Sequence, residues 1–262
     1  MKFIYILTDF GSRDGYPSAM KGVIHSILPD AVVTDITHEI SPQNVMEGAL
    51  TLQRVTPYYP VGAVIVAVVD PGVGTRRRPI AAQIGDHYFV GPDNGLFGLH
   101  IHAARAAGKP VYVVHLDQPR YWLDGVSNVF HGRDIFAPAA AHLASGVALE
   151  ELGSPVDDPV LLKLDDPKPT ASGLRGMIMH IDHFGNLAAN IYRAHLPEGK
   201  TMRVQIAGRT IPALSRTFGD APAGGLVALI DSSDELAVAV VNGSAAALLG
   251  AKVGDPLEVE WE

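Results

Sequence analysis

Apolar runs of five or six residues alternate with segments of helical period along the first half of the chain. Residues 3–8 (FIYILT) and 32–36 read as strands, and the intervening 16–28 carry the period of an amphipathic helix. A second helix is expected over 42–55. There Val45, Met46, Ala49, Leu50 and Leu52 form one stripe, Ser41 stands as N-cap and Pro42 takes the first helical position. Strands follow at 64–69, 80–84, 87–90 and 111–115, and a helix over 134–145 stops at Gly146. Alternation of strand and helix predicts an α/β domain on a mainly parallel sheet covered on both faces.

The texture changes beyond residue 156. Residues 157–173 hold three prolines and four aspartates with little periodicity, and the runs that follow at 174–181, 202–206, 226–230, 236–241 and 257–261 are short and β-rich. Turn residues separate them and no long amphipathic helix intervenes, which predicts a small all-β, barrel-like domain. The expected organisation is an α/β domain over 1–160, a linker over 161–172 and the β domain over 173–262. A cleft between two such domains is the expected ligand site.

Composition narrows the functions. A 262-residue chain with 47 % hydrophobic and 18 % charged residues has ample material for a core. The formal charge of −8 argues against a nucleic-acid partner, which would demand clustered Lys and Arg; the single run Arg76 to Arg78 is too short. With no cysteine, thiolate nucleophiles, disulfides and cysteine metal sites are excluded. The opening MKFIYILTDFG has one lysine and reaches Asp9 before an apolar core of signal-peptide length, and no later run approaches the ~18 apolar residues of a membrane span. A cytoplasmic protein without membrane partners is expected.

Candidate chemistry gathers at strand ends. Asp9 in TDFG follows the first strand, and Asp70 in DPGVGTRRR (70–78) follows the run 63–69, so both carboxylates belong in the C-terminal crevice where open α/β sheets bind ligands. One such Asp most often caps its own turn; two on neighbouring strands point to a site. A carboxylate there suits the hydroxyl pair of a ribose. The segment FHGRDIFAPAA (130–140) sets His131, Arg133 and Asp134 at the mouth of an apolar helix, where polar side chains face a ligand or another loop. Asp70, one arginine of the 76–78 run and His131 would make a polar pocket able to fix one water molecule, although a buried structural ion pair with a satisfied histidine is the commoner explanation of such residues. Composition does not decide which arginine turns inward.

Other motifs say less. GPDNG (91–95) is mainly a turn signal, and Ser18 with Lys21 forms SxxK without the SDN or KTG that would accompany it. Neither GxGxxG nor a P-loop occurs. His100 and His102 stand about 200° apart on a predicted helix and do not suit one ion, so no metal is expected. In IDHFGNLAANI (181–191) a glycine breaks a strand between Asp182, Phe184 and Asn186, which a hairpin turn explains; alternatively Phe184 packs on a flat ring, Asn186 bonds a base edge and Asp182 pairs with an ammonium group. Ser232 and Asn242 lie at strand ends further on.

Taken together, TDFG, DITHEI (35–40), VVDPGVGT (68–75), GPDNGL, FHGRDIFAPAA, IDHFGN and the Ser232 and Asn242 region resemble the S-adenosyl-L-methionine hydroxide adenosyltransferase family, the S-adenosyl-methionine hydrolases, which are relatives of the adenosyl fluorinases and chlorinases. The resemblance implies hydrolysis of S-adenosyl-L-methionine, or of its (R)-sulfonium epimer, to adenosine and L-methionine by attack of water or hydroxide on the ribose C5′. It implies no cofactor. It places the functional arginine seven residues after the aspartate, at Arg77, and makes Asp70, Arg77 and His131 the nucleophile pocket, with Asp70 or His131 taking the proton. Asp9 would hold the ribose hydroxyls, Asp182 and Ser232 the methionine amine and carboxylate, and Asn186 with the backbone near Asn242 the adenine, Phe184 and Phe218 packing on it. A homotrimer with sites between subunits is the implied assembly. A halogenase and a non-catalytic sensor of adenosine or S-adenosyl-methionine are the alternatives: Asp70 would repel a halide, and a sensor has no need of Asp70, Arg77 and His131.

Overall fold

The computed structural model describes residues 2–262, which divide into two compact units, the first ending at Lys163 and the second beginning at Leu164. The first unit comprises β1 (Phe3–Thr8), α1 (Tyr16–Ile27), β2 (Val32–Thr37), α2 (Val45–Val55), β3 (Val64–Val68), β4 (Pro79–Ile84), β5 (His87–Pro92), α3 (Gly98–Ala106), β6 (Val111–Leu116), α4 (Ala137–Ser145) and β7 (Gly153–Pro155). Its seven-stranded sheet has the order β2-β1-β3-β5-β4-β6-β7. The first four neighbours run parallel, as alternation of strand and helix requires, whereas β4, β6 and β7 add antiparallel pairings. The change of direction arises at Gly85, a left-handed turn residue (φ 59°) that folds β4 onto β5 as a hairpin.

Helices cover both faces. Ile4, Ile6, Val64, Val66 and Val68 meet Met20 and Ile24 of α1 and the alanines of α4. Alternate residues Leu7, Ile65 and Ala67 are equally buried and point the other way. There α2 approaches so closely that a Cβ at Gly48 would stand 2.9 Å from Leu96 and 3.7 Å from Leu7. Every residue of β3 is buried, the continuous apolar run expected of a strand covered on both sides. Helix α2 begins at Val45 and not at residue 42, because Gln43 takes a left-handed φ of 66° that no helix accepts. The N-cap is therefore Asn44, whose Oδ1 accepts the Glu47 N–H at 3.1 Å, and not Ser41.

The second unit comprises β8 (Lys168–Pro169), β9 (Gly173–Ile181), β10 (Leu187–Tyr192), β11 (Met202–Ile206), β12 (Arg209–Ile211), β13 (Leu226–Ile230), β14 (Glu235–Val240), α5 (Ala245–Leu249) and β15 (Pro256–Trp261). They form one antiparallel sheet in the order β12-β11-β15-β9-β10-β14-β13, with β8 beside β9. A bridge from Leu214 to Ala228 returns the chain after β12 to β13, and the Ser215 N–H donates to the Ala228 carbonyl at 2.7 Å, so the sheet nearly closes into a barrel. Ile178, Leu187, Ile191, Val204, Val238 and Val259 fill it. The buried Asn190 has both ends of its amide engaged: Oδ1 accepts from Met177 N–H at 2.8 Å and Nδ2 donates to the Asp165 carbonyl at 2.7 Å. Among the described residues no helix is long and apolar enough to cross a membrane.

The two histidines of α3 part as the helical period requires. His102 is exposed, while His100 turns inward against Phe89, with ring centroids 4.8 Å apart. The Thr56 hydroxyl donates to the Leu52 carbonyl at 2.7 Å, so His100 Nε2 donates to Thr56 Oγ1 at 3.2 Å and the buried Nδ1 has no partner among the described residues. Loss of hydration holds the ring neutral, its pKa pulled down to about 4 from 6.5. The unfolded chain binds a proton here below pH 6.5 that the folded chain refuses until about pH 4. Stability present above pH 6.5 is therefore lost as the pH falls through that window. In urea titrations, His100→Phe is expected to lose about 2 kcal/mol less than the wild type between pH 6.5 and pH 5; parallel curves for the two proteins would rule out the buried neutral ring.

Candidate active site

Asp70 stands just past the end of β3, its side chain only 4 % exposed. The loop after it returns because Gly74 is left-handed (φ 75°) and lies under the Asn128 carbonyl, where a Cβ would stand 2.6 Å from the oxygen. This brings Arg77 back: Nε donates to both Asp70 oxygens at 3.0 Å, and Nη2 donates to Oδ2 as well. Of the three arginines, Arg76 is exposed and Arg78 turns elsewhere. Arg78 Nε donates to Asp93 Oδ2 at 2.9 Å, and its other nitrogens reach the Asp158 carboxylate and carbonyl at 2.7 and 2.9 Å. Asp93 also accepts the Val160 N–H at 2.8 Å, and Asn94 donates to the Val69 carbonyl at 2.8 Å. The GPDNG turn thus anchors backbone.

Arg77 Nη2 also meets His131 Nδ1 at 2.9 Å. A guanidinium only donates, so Nδ1 is the accepting nitrogen and the ring proton sits on Nε2. Burial, then the charge of Arg77, keeps the His131 pKa below its ordinary value, while Asp70 and Asp134 oppose them. The imidazole is neutral near pH 7. The guanidinium lies over the Phe136 ring at 5.2 Å, and its Nη1 is buried with no hydrogen-bond partner among the described residues. A charged donor left over in such a place calls for an oxygen or an anion.

The rest of FHGRDIFAPAA divides its labour. His131 precedes a π-helical turn, Gly132–Phe136, that leads into α4. Asp134 is buried away from the pocket, accepting the Ser127 N–H at 2.8 Å and Arg133 Nε at 2.6 Å, so this pair holds the neighbouring loop. A pocket of about 310 Å³ has Asp9, Phe10, Gln43, Asp70 and His131 among its walls. Asp9 Oδ2 accepts the Gln43 N–H at 2.8 Å. The left-handed backbone of Gln43 costs about 1 kcal/mol and is held by the cap of α2, where Ser41 N–H donates to Glu47 Oε2 at 3.2 Å. Sequence reasoning passed over Gln43, since glutamine has no turn preference that would signal it.

The second unit has its own pocket, about 670 Å³, lined by Phe184, Asn186, Phe218, Gly219 and residues 240–244. Both rings are bare, Phe184 73 % and Phe218 49 % exposed. Asp182 organises the turn: its Oδ1 accepts the N–H groups of Phe184 and Asn186 at 2.9 Å, and its Oδ2 accepts Asn186 Nδ2 at 2.7 Å. Asn186 therefore keeps its amide oxygen free to accept. Gly185 (φ 81°) packs so tightly on Ser244 that a Cβ would stand 2.0 Å from its Oγ. Asn242, left-handed at φ 56°, follows β14. Ser232 is exposed in the turn before that strand, outside the pocket that Asn242 lines.

Comparison with known proteins matches residues 4–153 to a model of the SAM hydroxide adenosyltransferase N-terminal domain and residues 176–258 to one of the C-terminal domain. An (R)-S-adenosyl-L-methionine hydrolase of Salinispora arenicola is 43 % identical over 98 % of this chain and 97 % of its own. A fluorinase of Nocardia brasiliensis is 28 % identical over 98 % and 96 %. The crystal structure of an uncharacterized conserved protein from Thermotoga maritima superposes with a TM-score of 0.89 at 34 % identity, covering 98 % of this chain and 99 % of that one.

The ion pair is buried deeply enough for its loss to be costly. Arg77→Met, which leaves the Asp70 carboxylate in place without a partner, is expected to lower the unfolding free energy in urea by about 3 kcal/mol. Asp70→Asn in the same chain should recover most of that loss. A drop below about 0.5 kcal/mol would mark an exposed, weak pair instead.

Proposed function

The chain belongs to the SAM hydroxide adenosyltransferase family, and on that footing we propose that it hydrolyses S-adenosyl-L-methionine, the (R)-sulfonium epimer named for its hydrolase relatives, to adenosine and L-methionine. The observation that carries this reading is the buried Asp70, Arg77 and His131 cluster with one unspent donor, Arg77 Nη1. In this reading a water oxygen accepts from Nη1 and attacks the ribose C5′ in line with the sulfonium. The C5′–S bond breaks as the new C–O bond forms, its electron pair stays on sulfur, and the departing thioether is neutral. No general acid, metal or cofactor is then required, and catalysis rests on holding the nucleophile in a dry, polar pocket.

The water's proton goes to Asp70 in this scheme. His131 already carries its proton on Nε2, and its lone pair on Nδ1 is engaged by Arg77, so it serves as a donor to the nucleophile or the ribose. Asp9 takes the ribose hydroxyls, its carboxylate steadied by the Gln43 amide. In the second unit Phe184 and Phe218 pack on the adenine, the free Asn186 oxygen accepts from its amino group, and the backbone about Asn242 completes the edge. Asp182 and Ser232 are assigned to the methionine amine and carboxylate. A halogenase reading is weaker, because a desolvated halide would face the Asp70 carboxylate.

Each unit offers only part of these contacts, and the bare Phe184 and Phe218 rings support a homotrimer in which one subunit's Asp9 and Asp70 pocket meets its neighbour's Asn186 pocket. Incubation with each sulfonium epimer, followed by chromatography, should release equal amounts of adenosine and methionine from the (R) form. No adenosine from either epimer would end the hydrolase reading. Asp70→Asn should lower kcat about a hundredfold while adenosine still binds. For the assembly, inactive Asp70→Ala and Asn186→Ala chains are mixed under conditions of demonstrated subunit exchange. Activity should partly return, and a mixture that stays inactive would refute shared sites.

A further inference from the structure

The turn that carries Asp9 is braced by a residue that is not among the walls of the Asp9 pocket. Thr8, the last residue of β1, is wholly buried, and its Oγ1 accepts the Phe10 N–H at 3.2 Å. The same oxygen meets His38 Nδ1 at 2.9 Å. His38 lies just past β2, and its carbonyl accepts the Gly11 N–H at 2.7 Å. One residue therefore grips the chain on both sides of Asp9, by its ring at Thr8 and by its backbone at Gly11.

Thr8 Oγ1 has one proton to give and two lone pairs to accept with, so it serves the Phe10 N–H and the His38 ring at once. The other ring nitrogen, His38 Nε2, lies 3.0 Å from Asp35 Oδ1. Asp35 is fixed in turn by Lys21 Nζ at 2.5 Å. Partial burial raises its pKa, but Lys21 and His38 together hold it below the usual value. The ring is 10 % exposed and is not among the walls of the Asp9 pocket.

We propose that His38 is a positioning residue for ribose recognition: through Thr8 and Gly11 it fixes the turn that presents the Asp9 carboxylate, without touching the substrate. The proposal rests on the reading of Asp9 as the ribose ligand given above. A carboxylate held in place before binding loses no freedom when the hydroxyls arrive, and that advantage disappears when its support is removed.

The test is a mutant cycle read by adenosine calorimetry on the full chain. His38→Ala and Thr8→Val are each expected to weaken adenosine about tenfold, the worth of one such bond. His38→Asn, whose amide can stand in for Nδ1 against the Thr8 hydroxyl, should recover most of the loss. In an Asp9→Ala background, His38→Ala should weaken binding no further, because its effect passes through Asp9. In turnover assays KM should carry the loss while kcat stays within about twofold. If His38→Ala does not fold, Thr8→Val runs the same cycle. Additive losses in the Asp9→Ala background, or unchanged affinity in both single variants, would overturn the proposal, as would a wild type that does not bind adenosine. A wild type that binds adenosine but releases none from either sulfonium epimer would overturn the hydrolase reading alone, and the cycle would still decide the role of His38.

Discussion

A carboxylate at the end of a fully buried strand is stable only if something neutralises it, and in this chain Arg77 does so for Asp70. Much of the first unit's local architecture follows from that need. The 71–76 loop must double back, which requires the left-handed Gly74 beneath the Asn128 carbonyl. The guanidinium, once there, takes the lone pair of His131 and thereby settles which ring nitrogen carries the proton. The π-helical turn after His131 then feeds α4 onto the same face of the sheet. Strand, loop, helix and protonation state are linked through a single pair of charges.

The two pockets use opposite physics. The first is small, and the Asp70 carboxylate in its wall is shielded from water together with Arg77, so that the hydrogen bonds between them are strengthened. The second is wide and aromatic, with exposed rings and a turn prearranged by Asp182. Chemistry at a reacting carbon needs fixed dipoles in a dry place, while recognition of a flat heterocycle needs surface to stack on. In the reading proposed above, one chain meets both demands by giving each to a unit of suitable build.

Where a residue's role follows from periodicity, the sequence already displays it. The β3 run announces its burial, the Asp that ends it announces the crevice, and Gly146 ends α4 with a left-handed φ of 107°. The β10 strand is legible only as the far side of the strand that Gly185 breaks, because LAANIY is buried at nearly every position and shows no alternation. Helix α2 starts three residues later than its pattern suggests, since a left-handed glutamine leaves no mark in the sequence. Asp134 looked like a ligand residue beside His131, yet it sits in the π-helical turn, where the spacing of an α-helix no longer holds, and it is spent on Ser127 and Arg133, holding a loop. Composition alone had no means to choose among Arg76, Arg77 and Arg78; that choice depends on where the loop brings each Cα.

That choice gives the loop between Asp70 and the arginines the character of a measuring rod. Arg77 reaches back to Asp70 while Arg78, one peptide further, faces Asp93 and clamps residues 158–160. Removing a single residue from 71–76 would slide both side chains together, so that the Asp70 pair and the hold on residues 158–160 would be lost as one event. Substitutions within the loop are local, but its length is a dimension that the two neighbouring arginines share.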